Sequence, residues 1–371
     1  MESGFNRKER LLSLDALRGF DMLFIMGLAD WVVSLCGLFP ASGIMGWLSS
    51  QMSHVAWNGL THHDTIFPLF LFIAGISFPF SLAGQRARGK TERQIFLKVI
   101  RRGAVLVFLG MVYNGFFRLD FAHLRCASVL GRIGLAWMIS ALLFMKFKTR
   151  TLGVVAAAIL VGYWLLMWLV PGGPETYSFE HNFAGTVDRL LLPGRLIYGE
   201  NHFDPEGLLS TLPAVVTAML GMFTGQFVRL PDDHPAGRRK TPYMLAAAAA
   251  LLLAGWAWSY VFPVNKMLWS SSFVCVVGAY SLFLFAAFHY IVDVRGYRKW
   301  TFFFRVVGMN SITIYLAQRM IDFRQASGFF FGGLAGLFPE EWANLVNATG
   351  YVAVCWLFLL FLYKKNVFLK V

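Results

Sequence analysis

Residues 54–78 read HVAWNGLTHHDTIFPLFLFIAGISF, with three histidines and an aspartate placed directly before a long apolar run. With the apolar residues that follow, the run reaches the roughly 20 residues that a membrane-spanning helix needs. Ionisable side chains at membrane depth are costly, and they usually face a protein interior or a water-filled cavity. The stretch therefore predicts a transmembrane helix whose entrance carries titratable groups.

The rest of the chain has the same character. Of its 371 residues, 57% are hydrophobic and only 14% are charged, whereas soluble domains average about 25% charged residues. This composition predicts an all-α, polytopic membrane protein, and we interpret residues 1–371 as a single transmembrane domain. We predict ten spans, at residues 20–38, 66–84, 96–117, 127–145, 151–170, 207–228, 243–262, 268–292, 300–318 and 349–367.

Basic residues are unevenly distributed between the two sides of these spans. With a cytoplasmic N-terminus and alternating spans, 23 of the 33 Lys and Arg residues lie on the cytoplasmic side, as the positive-inside rule requires. Both termini are therefore predicted to be cytoplasmic, and the formal charge of +13 needs no nucleic-acid partner. The longer outer loops are predicted at residues 39–65, 171–206 and 319–348, the last as an interfacial or re-entrant segment.

The histidines of the opening stretch allow three interpretations. His54, His62, His63 and Asp64 could hold zinc, but their spacing matches no zinc motif, and the four cysteines are scattered, so no metal is expected. They could be interfacial histidines without a chemical role. The third interpretation is a general base or nucleophile, with Asp64 orienting an imidazole and stabilising its cation. Composition does not choose between them.

Other polar residues lie within or beside the predicted spans. Asp15, Arg18 and Asp21 share one helix face, either as a structural ion pair or as part of a ligand site. The remaining polar residues are each typical of helix packing, but together they predict a hydrated cavity. These are Asn114, Arg132, Ser270 to Ser272, and Asn310. Such a cavity fits a transporter as well as a membrane enzyme.

Seven segments spread over most of the chain form an ordered pattern. They are RLLSLDALRGFDMLFIM (10–26), HVAWNGLTHHDTIFPLFLFIAGISFPFSL (54–82), RCASVLGRIGLAW (125–137), DPEGLLSTLPAVVTAMLGMFTG (204–225), KMLWSSSFV (266–274), DVRGYRKW (293–300) and GMNSITIY (308–315). In this order they resemble the heparan-α-glucosaminide N-acetyltransferase family, within the transmembrane acyltransferases, and we identify the chain as a bacterial member. One departure is RCASVLGR, where the family pattern Arg-Ile-Pro-Gly-Val-Leu-Gln-Arg has a proline and a glutamine.

The resemblance implies transfer of acetyl from cytoplasmic acetyl-CoA to the amino group of a glucosamine-type sugar across the membrane. His54 falls on the family's proposed catalytic histidine. Asp64 would fix its tautomer, and Asn58 would either donate to the developing oxyanion or cap the following helix. The expected substrate-binding residues are Asp204, Glu206, Trp57, Asn114, Asn310 and Trp269. The expected coenzyme-binding residues are Arg18, Arg101, Arg102, Arg125, Arg132 and Ser271.

The same resemblance implies a homodimer in the bacterial inner membrane, with membrane lipid and an amino sugar as its other partners. The alternative function is an amino-sugar or N-acetylglucosamine permease without chemistry. The polar-lined bundle is compatible with that alternative. Against it, the sequence shows no repeat between its halves, although many transporter folds are built from such repeats.

Overall fold

The computed structural model describes residues 11–170, 175–198, 202–231 and 239–369. The basic residues before Leu11 and parts of the predicted outer loop 171–206 lie outside these ranges. The described chain is almost entirely helical, with two isolated β-bridges, Arg125 to Gly194 and Tyr198 to Phe203. Its α-helices are α1 Leu12–Leu23, α2 Ala29–Gly37, α3 Gly43–Ser50, α4 His62–Ala87, α5 Glu92–Tyr113, α6 Val129–Lys146, α7 Thr149–Leu169, α8 Phe183–Leu191, α9 Thr211–Val228, α10 Lys240–Ser259, α11 Ser271–Phe288, α12 Thr301–Gly308, α13 Ser311–Met320, α14 Phe323–Ala335 and α15 Glu340–Lys364.

Eight helical segments of the described chain are long and apolar enough to cross a membrane, which confirms the all-α, polytopic class. The first joins α1 to α2 through a π-helical stretch, Phe24–Leu28. The others are α4, α6, α7, α9, α10, α11 with its π-helical extension to Val294, and α15.

Two of the ten predicted spans take a different form. Residues 96–117 lie mostly in α5, which has 22 residues but carries several charged side chains in its first half. Residues 300–318 form two short helices, α12 and α13, which separate at Met309 and Asn310. The apolar run alone did not reveal this break, because hydropathy does not report where backbone hydrogen bonding is interrupted. The number of spans and the side of each terminus stay predictions.

The chain divides into two compact units, which we call the terminal unit (residues 11–39 and Leu284–Leu369) and the central unit (Pro40–Phe283). In the terminal unit α1 packs on α12, and α15 packs against α14 and α2. Glycine permits the first of these contacts. A Cβ atom on Gly19 would lie 1.7 Å from the carbonyl oxygen of Phe304.

In the central unit α4 packs along α9, and α6 packs against both α5 and α9. The close approach of α4 and α9 depends on small residues, as is common between membrane helices. A Cβ on Gly221 would lie 2.1 Å from the carbonyl oxygen of Phe72, and one on Gly225 would lie 2.3 Å from that of Ile76. These contacts run in parallel, so the first turns of α4 and α9 lie at the same end of the helix pair. The candidate site is built at that end.

Candidate active site

His54 lies in the loop before α4 and contacts Asp64 in the first turn of that helix. The His54 Nδ1 atom is 2.7 Å from Asp64 Oδ1. A carboxylate oxygen has no proton to donate, so a contact this short places the proton on Nδ1. The other ring nitrogen, Nε2, then carries the lone pair of the neutral imidazole. The His54 side chain is 46% exposed, whereas that of Asp64 is only 1% exposed.

The local sequence Thr61-His-His-Asp64 explains how the carboxylate is held. Thr61 is the N-cap of α4, and Thr61 and Asp64 form a capping box in which Asp64 is the third helical residue. Asp64 Oδ2 accepts from the Thr61 backbone N–H at 3.2 Å and from the Thr61 hydroxyl at 2.9 Å. One carboxylate oxygen therefore secures the start of the helix, while the other faces the imidazole.

A third charged group, Lys266, completes this arrangement. Its Nζ atom lies 3.3 Å from Asp64 Oδ1, 3.0 Å from His54 Nδ1 and 3.5 Å from His54 Nε2. The Lys266 side chain is 13% exposed. Burial lowers the pKa of this ammonium, and the nearby Asp64 charge opposes that effect without cancelling it. We call His54, Asp64 and Lys266 the His54 centre.

Asn58 and Trp57 attach the loop of His54 to other loops of the central unit. The Asn58 side-chain oxygen accepts from the buried Asn265 amide at 3.0 Å, and the Trp57 indole N–H donates to the Tyr177 carbonyl at 2.8 Å. The N-cap of α4 is Thr61, so Asn58 does not cap this helix and that alternative is wrong. Because the Asn58 oxygen already accepts from Asn265, the Asn58 amide nitrogen is the atom that can donate to a ligand.

The turn that carries Lys266 also carries Trp269. Trp269 has φ +51°, a left-handed conformation that costs a non-glycine residue about 1–2 kcal/mol. Its indole N–H donates to the Thr217 hydroxyl at 3.1 Å. Strained residues of this kind tend to occur at functional sites, where the surrounding structure holds them. The turn thus presents Lys266 and Trp269 in a fixed relation.

A second group of charges lies on the loops that precede α6 and α9. Arg125 donates from Nε and Nη2 to the two oxygens of Asp204, both at 2.7 Å, and also pairs with Glu206. Asp204 is completely buried. Burial acts to lower the pKa of Arg125, but the hydrogen bonds and charges of Asp204 and Glu206 outweigh it and raise that pKa. We call Arg125, Asp204 and Glu206 the arginine clamp.

Arg132, in the first turn of α6 and seven residues after Arg125, has different partners. Its Nη2 atom donates to the Gly207 carbonyl at 3.3 Å and to the Ser210 hydroxyl. Its guanidinium lies 5.0 Å from the centre of the Trp269 ring. Arg132 is 2% exposed, and within the described chain its Nε has no hydrogen-bond partner and no carboxylate pairs with it. The two arginines of RCASVLGR therefore differ: Arg125 forms ion pairs with two carboxylates, whereas Arg132 forms none among the described residues.

Asp188 in α8 is a buried carboxyl beside the same loop. Its Oδ1 atom accepts from the Leu208 N–H at 2.9 Å, whereas its Oδ2 has no hydrogen-bond partner among the described residues. Burial raises the pKa of Asp188 to about 7. A Cβ on Gly207 would lie 1.8 Å from Asp188 Oδ2, so only glycine fits at that position.

The other residues expected from the sequence have structural contacts. The Asn114 amide donates to the carbonyls of Arg125 and Ala127 at 2.9 and 2.8 Å, and Ser271 donates to that of Leu160 at 2.7 Å. In α5, the Arg102 guanidinium lies 4.3 Å from the centre of the Trp137 ring, and Arg101 is exposed.

Arg18 and Asn310 belong to the terminal unit, whereas the described contacts of the His54 centre all lie in the central unit. Arg18 pairs with Asp15 at 3.7 Å, which matches the ion-pair interpretation of that helix face. Asn310 is buried at the N-terminus of α13. Ligand roles for Arg18 and Asn310 stay predictions, as they do for Arg101, Arg102, Arg125, Asn114 and Ser271.

The described residues contain no cluster of three or more His, Cys, Asp or Glu side chains suited to a metal ion. At His54 the neighbours are one carboxylate, one ammonium and the His63 ring, whose centroid is 4.5 Å away. An ammonium beside the imidazole disfavours a cation in the same place. The arrangement suits proton transfer or nucleophilic attack better than metal binding.

No family model matches the chain. It is 26% identical to the mouse (Mus musculus) heparan-alpha-glucosaminide N-acetyltransferase, over 86% of this chain and 56% of that protein. It is 25% identical to the human (Homo sapiens) protein of the same name, over 98% of this chain and 60% of that protein.

The chain is a relative of the heparan-alpha-glucosaminide N-acetyltransferases. The resemblance noted in seven sequence segments is thus confirmed over most of the chain. The chain nevertheless spans less than two thirds of the length of these curated N-acetyltransferases.

Sequence reasoning missed two members of the site. Lys266 was counted only as a basic residue of an outer loop, and Thr61 was not singled out. Lys266 lies 212 residues from His54, so no local spacing could reveal their contact. A signal for Thr61 was present, because Thr-x-x-Asp before an apolar run is a variant of the capping box.

Proposed function

We propose that this chain is a membrane acetyltransferase that moves acetyl from cytoplasmic acetyl-CoA to the amino group of a glucosamine-type sugar on the outer side. The observation that carries this proposal is the His54 centre, an exposed imidazole with its Nδ1 proton held by a buried carboxylate. The names of the two N-acetyltransferase relatives supply the reaction class and the acceptor type.

The acceptor explains why a histidine is needed. A glucosamine amino group is largely an ammonium near neutral pH, and an ammonium has no lone pair with which to attack a thioester. Histidine is the side chain whose unperturbed protonation range suits removal of that proton. Nε2 of His54, which faces away from Asp64, is the atom available for this task.

Two routes use the same atoms. In the direct route Nε2 takes a proton from the ammonium, the free amine attacks the acetyl carbon, and the C–S bond breaks with its electron pair leaving on the CoA sulfur. In the covalent route Nε2 itself attacks the acetyl carbon, the C–S bond breaks, and the CoA thiolate that leaves takes a proton from the ammonium. The free amine then attacks the acetyl-imidazolium, the bond between carbon and Nε2 breaks, and Nε2 takes up the proton that the new amide nitrogen loses. Overall, ammonium and thioester become amide, CoA thiol and one released proton.

The neighbouring residues receive roles that fit their contacts. Asn58 donates from its amide nitrogen to the oxyanion of the tetrahedral intermediate, since its oxygen is held by Asn265. Arg132 contributes positive charge for a coenzyme phosphate, because it has no carboxylate partner in the described chain. Glu206 remains the proposed anionic contact for the amino sugar, with Trp57 and Trp269 as apolar walls.

Sidedness follows from the basic-residue bias and not from the helix contacts. We propose that the start of α4 faces outward, that acetyl-CoA reaches Nε2 from the cytoplasmic side, and that the sugar arrives from outside. In sealed vesicles of known orientation, acetyl-CoA should then work only from the cytoplasmic face and glucosamine only from the outer face. Equal use of both substrates from the cytoplasmic face alone would contradict this arrangement.

The central experiment is an acetyl-transfer assay with purified protein, acetyl-CoA and glucosamine, comparing the wild type with His54→Ala. We expect His54→Ala to lose acetyl transfer by roughly a hundredfold to ten-thousandfold, the usual contribution of a positioned acid–base group. His63→Ala serves as the matched control and should have a milder effect. A His54→Ala protein that transfers acetyl at the wild-type rate would disprove the assignment. Glucosamine uptake without any use of acetyl-CoA would favour a permease instead.

A further inference from the structure

Lys266 is an unexpected member of the His54 centre, because a second cation beside a catalytic imidazole needs a reason. The lysine is largely buried, and its turn is tied to the His54 loop through Asn265 and Asn58. The backbone of Gly59 also donates to the carbonyl of Val264 at 2.8 Å. The protein therefore holds Lys266 in place through contacts of the two residues that precede it, Val264 and Asn265.

Hydrogen bonding at Asp64 determines where the Lys266 ammonium lies relative to the His54 ring. Asp64 Oδ2 is occupied by donors from Thr61. Asp64 Oδ1 receives both the Nδ1 proton of His54 and the Lys266 ammonium, at 2.7 and 3.3 Å. Two donors that converge on one oxygen lie side by side, here with 3.0 Å between the two nitrogens.

We infer that Lys266 is a positioning residue that keeps His54 in its neutral, Nδ1-protonated form, so that Nε2 stays free to accept a proton or an acetyl group. This inference rests on the proposed function for its catalytic meaning. The reason is electrostatic. A carboxylate alone favours the imidazolium, which has no lone pair, whereas an adjacent ammonium opposes that charge.

All charged and titratable groups around His54 enter this balance. Asp64 is the anion in direct contact, Lys266 is the cation in direct contact, and the His63 ring packs on the imidazole. His62 precedes His63 in the first turn of α4, and Glu206 and Arg132 act on Lys266 from a greater distance. Lys266 is the one cation among them with a contact to His54, so it is the group to change.

Lys266 also destabilises the two positively charged forms of His54 that arise during the reaction, the imidazolium and the acetyl-imidazolium. In the direct route the proton taken by Nε2 creates an imidazolium, and Lys266 favours its return to the leaving CoA thiolate. In the covalent route attack by Nε2 breaks the C–S bond and leaves an acetyl-imidazolium, and Lys266 favours transfer of that acetyl group to the amine. Each route ends with neutral His54.

The test compares Lys266→Met, which removes the charge, with Lys266→Arg, which keeps it. For Lys266→Met we expect the acidic limb of the kcat/KM profile to move to higher pH by about one unit, a typical effect of one nearby charge. For Lys266→Arg the limb should stay within a few tenths of a unit of the wild type. Lys365→Met, at the exposed C-terminal end of α15, is the control for loss of a distant charge.

A second readout does not depend on acetyl transfer. Diethyl pyrocarbonate modifies neutral imidazoles, and chymotryptic cleavage after Trp57 separates His54 from His62 and His63 for mass spectrometry. The pH midpoint of His54 modification should rise by the same unit in Lys266→Met and not in Lys266→Arg. If Lys266→Met does not fold, as judged by gel filtration in detergent, Lys266→Gln replaces it.

The outcomes separate the two proposals. An unchanged His54 midpoint in Lys266→Met, or an equal shift in Lys266→Arg, overturns the role given to Lys266. A shifted midpoint in a protein that never transfers acetyl supports the coupling of Lys266 to His54 and refutes the proposed function.

Discussion

The His54 centre and the arginine clamp are both built from loops of the central unit, yet they use charge in opposite ways. In the clamp, both oxygens of Asp204 accept from one guanidinium, and the carboxylate is completely buried. In the His54 centre, the imidazole is 46% exposed and its Nε2 atom points away from the carboxylate. In the clamp, the carboxylate oxygens of Asp204 are both hydrogen-bonded within the protein. In the His54 centre, only Nδ1 contacts the carboxylate, and Nε2 keeps its lone pair.

This difference in hydrogen bonding distinguishes a stabilising group from a reactive one. A charged group with every partner supplied by the protein has little left to offer a ligand, and removing one partner is costly. A group that retains a lone pair beside a fixed proton is suited to catalysis. The comparison therefore predicts a stabilising role for the Arg125–Asp204 pair and a reactive role for His54, whereas Glu206, whose side chain is 11% exposed, stays available to the proposed sugar. Each prediction can be tested by substitution.

The largest effect on folding is expected at the clamp. Arg125→Met leaves Asp204 buried without its cation, and loss of one partner of a buried pair costs about 3–5 kcal/mol. Thermal unfolding in detergent should show a strongly lowered Tm. Arg118→Met, at an exposed arginine in the segment between α5 and α6, should leave the Tm unchanged. A wild-type Tm for Arg125→Met would show that the clamp does not hold the loops.

A smaller effect, now on activity, is expected for Asp64→Asn. An amide can hold the imidazole in the wrong tautomer, and a misplaced catalytic group can cost about a hundredfold in rate. We expect residual acetyl transfer at roughly one hundredth of the wild-type rate, measured as kcat.

Thr61→Ala tests the capping role, because it removes the N-cap hydroxyl and leaves Asp64 facing His54. The same hydroxyl donates to the Ser53 carbonyl at 2.6 Å, so Ser53→Ala, which keeps that carbonyl, is the control for changes in this loop. It should cost about 1 kcal/mol of stability while keeping most of the activity. If Thr61→Ala and Asp64→Asn lower kcat equally, Asp64 acts through the helix start and not through His54.

The last effect is a dependence of stability on pH at Asp188, and it is confined to neutral and alkaline pH. The pKa of this buried carboxyl is about 7 in the folded protein and about 3.9 when unfolded. Between these values the folded state binds more protons, so this group lowers the free energy of unfolding as pH rises from about 4 to about 7.

Asp188→Asn removes that titration. At pH 8 it should raise the Tm by an amount corresponding to at most about 4 kcal/mol, since the two pKa values differ by about three units and each unit is worth about 1.4 kcal/mol. It should have little effect at pH 4.5. Equal changes at both pH values would show that Asp188 does not titrate in this range.

Sequence reasoning reached most of the fold because the membrane imposes it. The apolar run after Asp64 predicted a span at 66–84, and α4 extends from His62 to Ala87. The break between α12 and α13 was not predictable from hydropathy, since both halves are apolar and the interruption arises where α1 approaches Gly308 closely. A Cβ on Gly308 would lie 2.1 Å from the Asp15 carbonyl oxygen.

The candidate site was only partly accessible from the sequence. His54 and Asp64 are ten residues apart, and their pairing was expected. The partner of Asp204 was not, because Arg125 lies 79 residues away and was expected to bind a coenzyme phosphate. Contacts between distant loops depend on how helices pack, which composition and spacing do not encode.

Asp64 has two roles, and together they connect the insertion of α4 into the membrane with the geometry at His54. Its carboxylate caps α4 through Thr61 and orients His54 through its other oxygen. A start displaced by one residue would rotate the third helical position by about 100° around the axis and turn the carboxylate away from the imidazole. Insertion of α4 in the right register thus sets half of the reactive geometry before Lys266, more than two hundred residues later in synthesis, has left the ribosome. A molecule with α4 in the wrong register would therefore lack the orienting carboxylate, and the reactive geometry proposed for His54 would not form in it.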